Sequence, residues 1–260
     1  MLNKGFEDLR AGLGLYYVWI YQAYHDLSAK YKRTILGPLW LSGAFVVMSI
    51  SYSILFGALF HQKLEVALPY IMSGILVYGL VSFILTEGVE VYIAAGGIIK
   101  NHAYPFTFYA FHAICRAFFL FLLNLVVFWI FMVIIRGFSI PSWTILLAIP
   151  LALMFMFAWG VLFGMLGARF RDLRFMLPYI AQLLNVLTPL FWHADSIQGW
   201  VRLGIELNPF YAFVQIIRCP LIGISPPLLS WEVAMAYTVL GVFLWLFFFP
   251  TFRRRIPFWV

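Results

Sequence analysis

The sequence predicts an all-α integral membrane protein with six transmembrane helices. Hydrophobic residues make up 64% of the 260 residues and charged residues only 10%, whereas a soluble domain carries about 25% charged residues. The mean hydropathy is +0.96. Six stretches are apolar enough to cross a bilayer, which takes about 20 residues per helix; they cover residues 37–60, 70–85, 106–135, 143–168, 175–192 and 231–252. The second and fifth are short and the third is long, so we expect tilted helices, or helix that continues past the membrane surface.

The basic residues predict the orientation of these spans. If the N-terminus is cytoplasmic, twelve of the 17 lysines and arginines fall in cytoplasmic segments. They are Lys4, Arg10, Lys30, Lys32, Arg33, Lys100, Arg169, Arg171, Arg174, Arg253, Arg254 and Arg255. The others are Lys63, Arg136, Arg202 and Arg218 outside, and Arg116 within the third span. The positive-inside rule therefore predicts that both termini are cytoplasmic. The net charge of +7 then reflects topology, and we predict no nucleic-acid partner because the basic residues are scattered.

Residues 1–35 precede a six-helix membrane domain over residues 36–260. Apolar and aromatic side chains recur there at steps of three and four; they are Phe6, Leu9, Leu13, Tyr16, Tyr17, Ile20, Tyr24 and Leu27. This pattern predicts an amphipathic helix that lies flat in the headgroup layer. The alternative is an amphipathic helix packed on the protein's own core. The stretch lacks a short apolar core followed by small residues, so we expect no cleaved signal peptide.

Two features of the remaining chain bear on chemistry. His112 and Arg116 lie four residues apart in the third span and so share a helical face. They either face a polar conduit, where they meet phosphate or sugar hydroxyls, or lie near the cytoplasmic surface. Cys115 and Cys219 are too far apart in the chain to indicate a disulfide framework or a metal site, and we predict no bound metal.

A long, semi-apolar outer segment precedes the last span. It covers residues 193–230, and Pro209 interrupts it, so we predict two short helices that re-enter the membrane. A folded cap on the outer face is the alternative.

The run from Lys30 to Trp40 carries a resemblance. Its sequence, Lys-Tyr-Lys-Arg-Thr-Ile-Leu-Gly-Pro-Leu-Trp, resembles the RYKRSxLGPLW signature of the membrane subunits of type-2 ABC exporters for polysaccharides, in the branch for O-antigen and teichoic acid. Lys30 replaces the first arginine. The likeness covers most of the chain, including a glycine-rich inner loop and a Leu-Asn-Pro-Phe segment before the last span. One departure is Ala94–Gly97 (Ala-Ala-Gly-Gly), where relatives often carry an asparagine.

The resemblance implies a permease subunit in the bacterial inner membrane that exports a polyprenyl-pyrophosphate-linked polysaccharide. It implies a partner ABC ATPase that docks at a coupling helix within residues 86–105. Because six spans leave little room for a wide conduit within one chain, we expect a C2 homodimer joined by two ATPase copies. The candidate coupling residues there are Glu87, Glu90, Lys100 and Asn101. The candidate substrate-binding residues are Lys30, Tyr31, Lys32, Arg33, His112 and Arg116, and the candidate outer gate comprises Asn208, Pro209 and Phe210. For Lys30 to Arg33 the alternative is anchoring to anionic lipid, and for residues 86–105 a plain connecting loop.

The chain has no Gly-x-x-x-x-Gly-Lys-Ser/Thr loop, so it cannot bind ATP in the usual P-loop way. We therefore expect no cofactor on this chain, with ATP and Mg on the partner ATPase. Alternative substrates are capsule, teichoic acid, or another lipid or drug. An integral-membrane acyltransferase is a remote alternative, because it needs clustered acid-base residues and the five histidines are dispersed.

Overall fold

The computed structural model describes residues 2–29, 37, 39–137, 141–194 and 197–260, without the side chains of Leu2 and Arg136. Helices and turns make up these residues, and no strand occurs within them. The predicted all-α class is therefore confirmed. Of the predicted site residues, Lys30, Tyr31, Lys32 and Arg33 lie outside the described part of the chain.

Thirteen α-helices occur in the described ranges. Their bounds are α1 Leu2–Gly14, α2 Tyr16–Ala29, α3 Leu39–Leu59, α4 Leu64–Val81, α5 Glu87–Ala94, α6 Gly96–Asn101, α7 Phe106–Arg136, α8 Ile145–Arg169, α9 Leu173–Leu187, α10 Trp200–Glu206, α11 Pro209–Leu221, α12 Leu228–Phe252 and α13 Ile256–Trp259. A 3-10 turn, Ser82–Leu85, extends α4, and a second, Arg253–Arg255, joins α12 to α13.

Five helical segments of the described chain are long and apolar enough to cross a membrane. They contain α3, α4 with its 3-10 turn, α7, α8 and α12. The second span begins at Leu64 instead of residue 70, because Glu65 lies in the first turn of α4, where a carboxylate favours the helix dipole. The long third span is confirmed: α7 has 31 residues and extends for about 46 Å.

The fifth predicted span is shorter than expected. Helix α9 has 15 residues, or about 22 Å, against the roughly 30 Å of the hydrocarbon core. It ends at Leu187 because Thr188 precedes Pro189, and a residue before proline is disfavoured in the α conformation; Thr188 is extended. The number of spans and the side on which the termini lie therefore stay predictions.

The core of the bundle surrounds α4. Of its most apolar window, 83% of the residues are buried, compared with 22% for α3 and 17% for α7. Helix α4 packs against α3, α7 and α11, and α8 packs against α5 and α12. The apolar faces of α3 and α7 are thus left to lipid or to another subunit.

The N-terminal segment forms two helices that pack on this bundle. Helix α1 contacts α7 and α12, and α2 contacts α7. The opposite face exposes aromatic side chains, with Tyr17 and Tyr21 each 64% exposed. One face therefore lies on the protein's own core, and the exposed aromatic face suits the predicted headgroup layer.

Asp8 anchors α1 to two distant parts of the chain. It is 8% exposed, and its carboxylate accepts hydrogen bonds from the backbone N–H groups of Phe106 and Thr107 at 3.3 and 3.0 Å. Arg253 donates to the same carboxylate at 3.0 Å. Asp8 therefore caps the N-terminus of α7 from another helix and pairs with the residue that follows α12.

Candidate functional site

A groove lined by both polar and aromatic side chains lies between α3, the end of α4, α7 and α9, and we call it the central groove. Its volume is about 670 Å³. The polar residues that line it are Ser82, Thr86, Glu87, Asn124, Gln182 and Asn185. Aromatic residues form much of the remaining wall; they include Phe45, Tyr52, Tyr78, Phe83, Phe121 and Phe191.

Two amides on α9 give the central groove its polar character. Gln182 and Asn185 lie three residues apart, on one face of the helix; Gln182 is exposed and Asn185 half-buried. Neither side chain makes a hydrogen bond within the described ranges. An unsatisfied amide in hydrocarbon costs several kcal/mol. This face of α9 therefore requires water or another protein surface, not lipid tails.

Aromatic contacts hold α9 and the turn after it. The hydroxyl of Tyr78 in α4 donates to the backbone carbonyl of Ala181 in α9. Beyond the helix, the Phe191 ring stacks on Phe56 at 5.1 Å and lies 4.7 Å from Tyr52, both in α3. These contacts fix the shape of the groove at the end where α9 stops.

His112 and Arg116 lie on one face of α7, as predicted, and each pairs with a carboxylate from another helix. Nη2 of Arg116 lies 2.6 Å from Oε2 of Glu87, and Nε2 of His112 lies 3.0 Å from Oδ2 of Asp26. These four residues, with Glu90, line an inner cavity of about 290 Å³ between α2, α5, α6 and α7. Glu87 compensates the charge of Arg116. An arginine within a membrane-spanning helix is costly unless it has such a partner.

The predicted coupling segment divides into a buried and an exposed part. Helix α5 packs on α8: Gly88 is buried, and a Cβ on it would lie 3.6 Å from the Gly160 backbone. Glu87 and Glu90 are exposed on its other face, toward the inner cavity. Lys100 and Asn101 belong to α6, whose last residues are exposed, and the Asn101 amide donates to the Gly97 carbonyl at 2.8 Å. The four candidate coupling residues thus lie on two helices with different surroundings.

The candidate outer gate is the start of α11. Asn208 caps this helix by accepting a hydrogen bond from the Phe210 backbone N–H at 3.0 Å, and Pro209 occupies the first turn. The Asn208 amide also donates to the Thr188 hydroxyl at 3.2 Å, which ties α11 to the turn after α9. The two short helices predicted around Pro209 are present as α10 and α11. Their gating role and their re-entry into the membrane stay predictions.

Arg218 lies in α11 and has no exposed surface, although its position in the sequence predicts an outer loop. Its guanidinium carbon is 3.9 Å from the centre of the Tyr70 ring, and Nη1 donates to the Pro189 carbonyl at 2.9 Å. In the described part of the chain, Arg218 forms no ion pair. It joins α11, α4 and the turn after α9.

Sequence reasoning missed Gln182, Asn185 and Arg218. The two amides were detectable, because a pair at a spacing of three in an otherwise apolar span marks one helical face. Arg218 gave no comparable signal, since hydropathy places residues 193–230 between spans and only tertiary packing buries α11.

Comparison with known proteins gives two findings. The profile of the ABC-2 type transporter family matches residues 26–221. The chain is also 23% identical over 193 residues to the O-antigen export system permease protein RfbA of Klebsiella pneumoniae, which covers 73% of this chain and 74% of the relative. The match to the family profile begins within α2 and ends at the last residue of α11, so it includes the central groove.

Proposed function

Because this chain belongs to the ABC-2 type transporter family and is a multi-pass inner-membrane permease subunit, we propose that it exports a lipid-linked polysaccharide of the O-antigen kind. In this proposal two copies of the chain form the conduit and two copies of a separate ABC ATPase supply the energy. Family membership implies pairing with an ABC ATPase. The substrate, the homodimer and the number of ATPase copies are the proposal.

The central groove carries the proposal. It combines amide and carboxylate side chains with aromatic rings, and Gln182 is exposed within it. Unpaired amide side chains are unfavourable in contact with lipid tails. A second copy related by a two-fold axis would bring two such grooves together and enclose a wet path between them, as passage of a hydrophilic glycan requires.

The known relative supports the choice of substrate. Its name assigns it to O-antigen export, and the alignment covers 73% of this chain. Aromatic rings present flat apolar faces to sugar C–H groups, while Gln182 and Asn185 can exchange hydrogen bonds with sugar hydroxyls. The alternative of an acyltransferase is not favoured, because such an enzyme needs clustered acid-base residues and the histidines of this chain are dispersed in the sequence.

Deletion of the gene tests the substrate class. We expect the deletion strain to lose surface polysaccharide and to accumulate lipid-linked glycan on the cytoplasmic side. Gln182→Leu with Asn185→Leu should reproduce this defect, while Gln62→Leu, which removes an amide outside the groove, should complement fully. Normal surface glycan in the deletion strain, or loss of drug resistance or of another lipid instead, would contradict the proposal.

Substrate recognition is proposed at Lys30, Tyr31, Lys32 and Arg33, which in the sequence immediately precede the first span. A pyrophosphate headgroup carries more charge than a phospholipid, and arginine binds phosphate oxygens in bidentate fashion. Lys32→Gln with Arg33→Gln should abolish export without changing topology. Lys4→Gln with Arg10→Gln removes the same charge from exposed positions of α1 and should leave export intact. If both double variants export equally well, residues 30–33 do not recognise the substrate and only their role in anchoring to lipid remains.

A further inference from the structure

A second groove lies between the ends of α8 and α12. We call it the α8–α12 groove. Its volume is about 410 Å³, within the roughly 300 to 1,000 Å³ of small-molecule sites. It shares no lining residue with the central groove, so it is not part of the proposed conduit.

The walls of the α8–α12 groove are almost entirely apolar. Trp159 and Leu162 form its floor from α8, and Leu244 and Phe248 line it from α12. The indole N–H of Trp159 donates to the Tyr237 carbonyl at 3.0 Å, so the ring offers only carbon surface. Phe248 is 47% exposed and Leu166, on the α8 side, 44%. The groove therefore opens outward, toward the hydrocarbon of the membrane.

Two arginines lie at the mouth of this groove. Arg169 ends α8 and Arg255 follows α12, and both line the groove. Each guanidinium lies close to a phenylalanine ring, Arg169 at 5.7 Å from Phe170 and Arg255 at 5.6 Å from Phe252. Neither arginine forms an ion pair with any residue that the structure describes, and both are exposed.

Of the neighbouring basic residues, two are engaged by other groups, and Arg254 lines a different groove. Arg253 forms an ion pair with Asp8. Nη2 of Arg171 donates a hydrogen bond to the Trp259 carbonyl at 3.4 Å. Arg169 and Arg255 are thus left at the end of an apolar groove. A ligand that matches both features has a long hydrocarbon chain and a net anionic headgroup.

We propose that the α8–α12 groove binds one anionic phospholipid of the leaflet on the side of the basic loops, which the positive-inside rule makes cytoplasmic. One acyl chain lies in the groove, and the phosphate lies between Arg169 and Arg255. Two cations select a lipid with net negative charge over a zwitterionic one, because each basic residue near the surface adds attraction to anionic lipid. The site is independent of the transported substrate.

Lipid binding to the purified chain in mixed micelles tests this site, with native mass spectrometry as the readout. We expect 1-palmitoyl-2-oleoyl-phosphatidylglycerol to bind at one site per chain, and the matching phosphatidylcholine to bind about tenfold more weakly. Arg169→Gln with Arg255→Gln should weaken phosphatidylglycerol binding by about tenfold or more. Arg10→Gln with Arg254→Gln removes two exposed charges elsewhere and should change binding less than about twofold.

A second variant tests the apolar part of the site. Leu244→Trp should fill the groove and remove binding of both lipids, whereas Val239→Trp, at an exposed position of the same helix, should not. Equal binding of the two lipids to the unaltered chain would overturn the proposal. So would unchanged phosphatidylglycerol binding in the Arg169/Arg255 double variant, or displacement of the phospholipid by one equivalent of undecaprenyl phosphate, which would make the groove a substrate site.

Discussion

Single residues hold together elements that are far apart in the chain. Asp8 caps α7 and pairs with Arg253, while Arg218 joins α11 to Tyr70 and to the turn at Pro189. Hydropathy gave no sign of either role. Asp8 occurs among other polar residues of an amphipathic helix, and Arg218 occurs in a segment between spans, so only the long-range contacts distinguish them from solvent-exposed charges.

Replacement of Asp8 by alanine should destabilise the protein strongly. The change leaves the buried N–H of Thr107 and the partly exposed guanidinium of Arg253 without their partner. Breaking a fully buried ion pair costs about 3 to 5 kcal/mol, so we expect a loss toward the lower end of that range. Asp8→Asn should cost less, because its amide oxygen still accepts a hydrogen bond. The free energy of unfolding, measured by denaturant titration in mixed micelles, checks both.

The control for Asp8 is its neighbour Glu7, which is exposed. Glu7→Ala should change the free energy of unfolding by no more than about 0.5 kcal/mol. A loss for Asp8→Ala as small as that for Glu7→Ala would mean that the contacts of Asp8 contribute little.

At the scale of elements, the α5–α8 contact depends on glycine. Gly160 and Gly164 of α8 are four residues apart, the spacing that lets membrane helices approach closely. A Cβ on Gly164 would lie 3.1 Å from both the Gly88 carbonyl oxygen and the Tyr92 ring. The Gly-x-x-x-Gly spacing is visible in the sequence, but nothing in the sequence identifies α5 as the helix that packs on it.

Gly164→Val should separate α5 from α8 and lower the free energy of unfolding by about 1 to 3 kcal/mol, the usual cost of overpacking. Because α5 carries Glu87, the change should also weaken the pair with Arg116. Gly43→Val in α3 is the control, since a Cβ there meets only Trp40, at 3.9 Å. Similar unfolding curves for the two variants would contradict the close packing described above.

Helix α6 is the better candidate for contact with the ATPase, because its end is exposed while α5 packs on α8. Ile98 is 50% exposed there, beside Lys100. Ile98→Asp with Lys100→Glu should uncouple ATP hydrolysis from transport in proteoliposomes without loss of folded protein. The control is Lys63→Glu, at the residue that precedes α4, which should transport normally.

Glu87 and Glu90 need separate tests, since a charge reversal at Glu87 also breaks the Arg116 pair. Glu90→Lys probes the ATPase contact alone, and Glu87→Gln probes the ion pair. If Glu90→Lys and the α6 variant both retain full coupling, the ATPase contacts another part of the chain.

At the scale of the whole molecule, the exposed polar face of α9 in the central groove predicts a C2 homodimer. Purification with the partner ATPase should give a complex of two permease and two ATPase chains by mass photometry. Asn185→Cys, at the mouth of the groove, should form a crosslink between copies with a short bifunctional reagent, whereas Val239→Cys on α12 should not. A stable complex of one permease and one ATPase with full transport activity would overturn the dimer.

Most of the fold was accessible from the sequence because long apolar stretches leave few alternatives to a membrane helix. The third, fourth and sixth predicted spans agree with α7, α8 and α12 to within three residues at each end. The second span begins six residues earlier than predicted, at Leu64. The fifth ends five residues earlier, at Leu187, where Pro189 stops the helix. The site was less accessible, since the central groove and the inner cavity are built from side chains of helices that only tertiary packing brings together.

The pair between Asp8 and Arg253 joins residues 245 positions apart, and this separation has a consequence for biosynthesis. At about 5 to 20 residues per second, Asp8 is synthesised about 12 to 50 seconds before its arginine. During that interval the Asp8 carboxylate can cap the start of α7 but has no arginine to pair with. The pair can therefore form only after the last span has been made, and a chain truncated before residue 253 lacks the cation that pairs with Asp8.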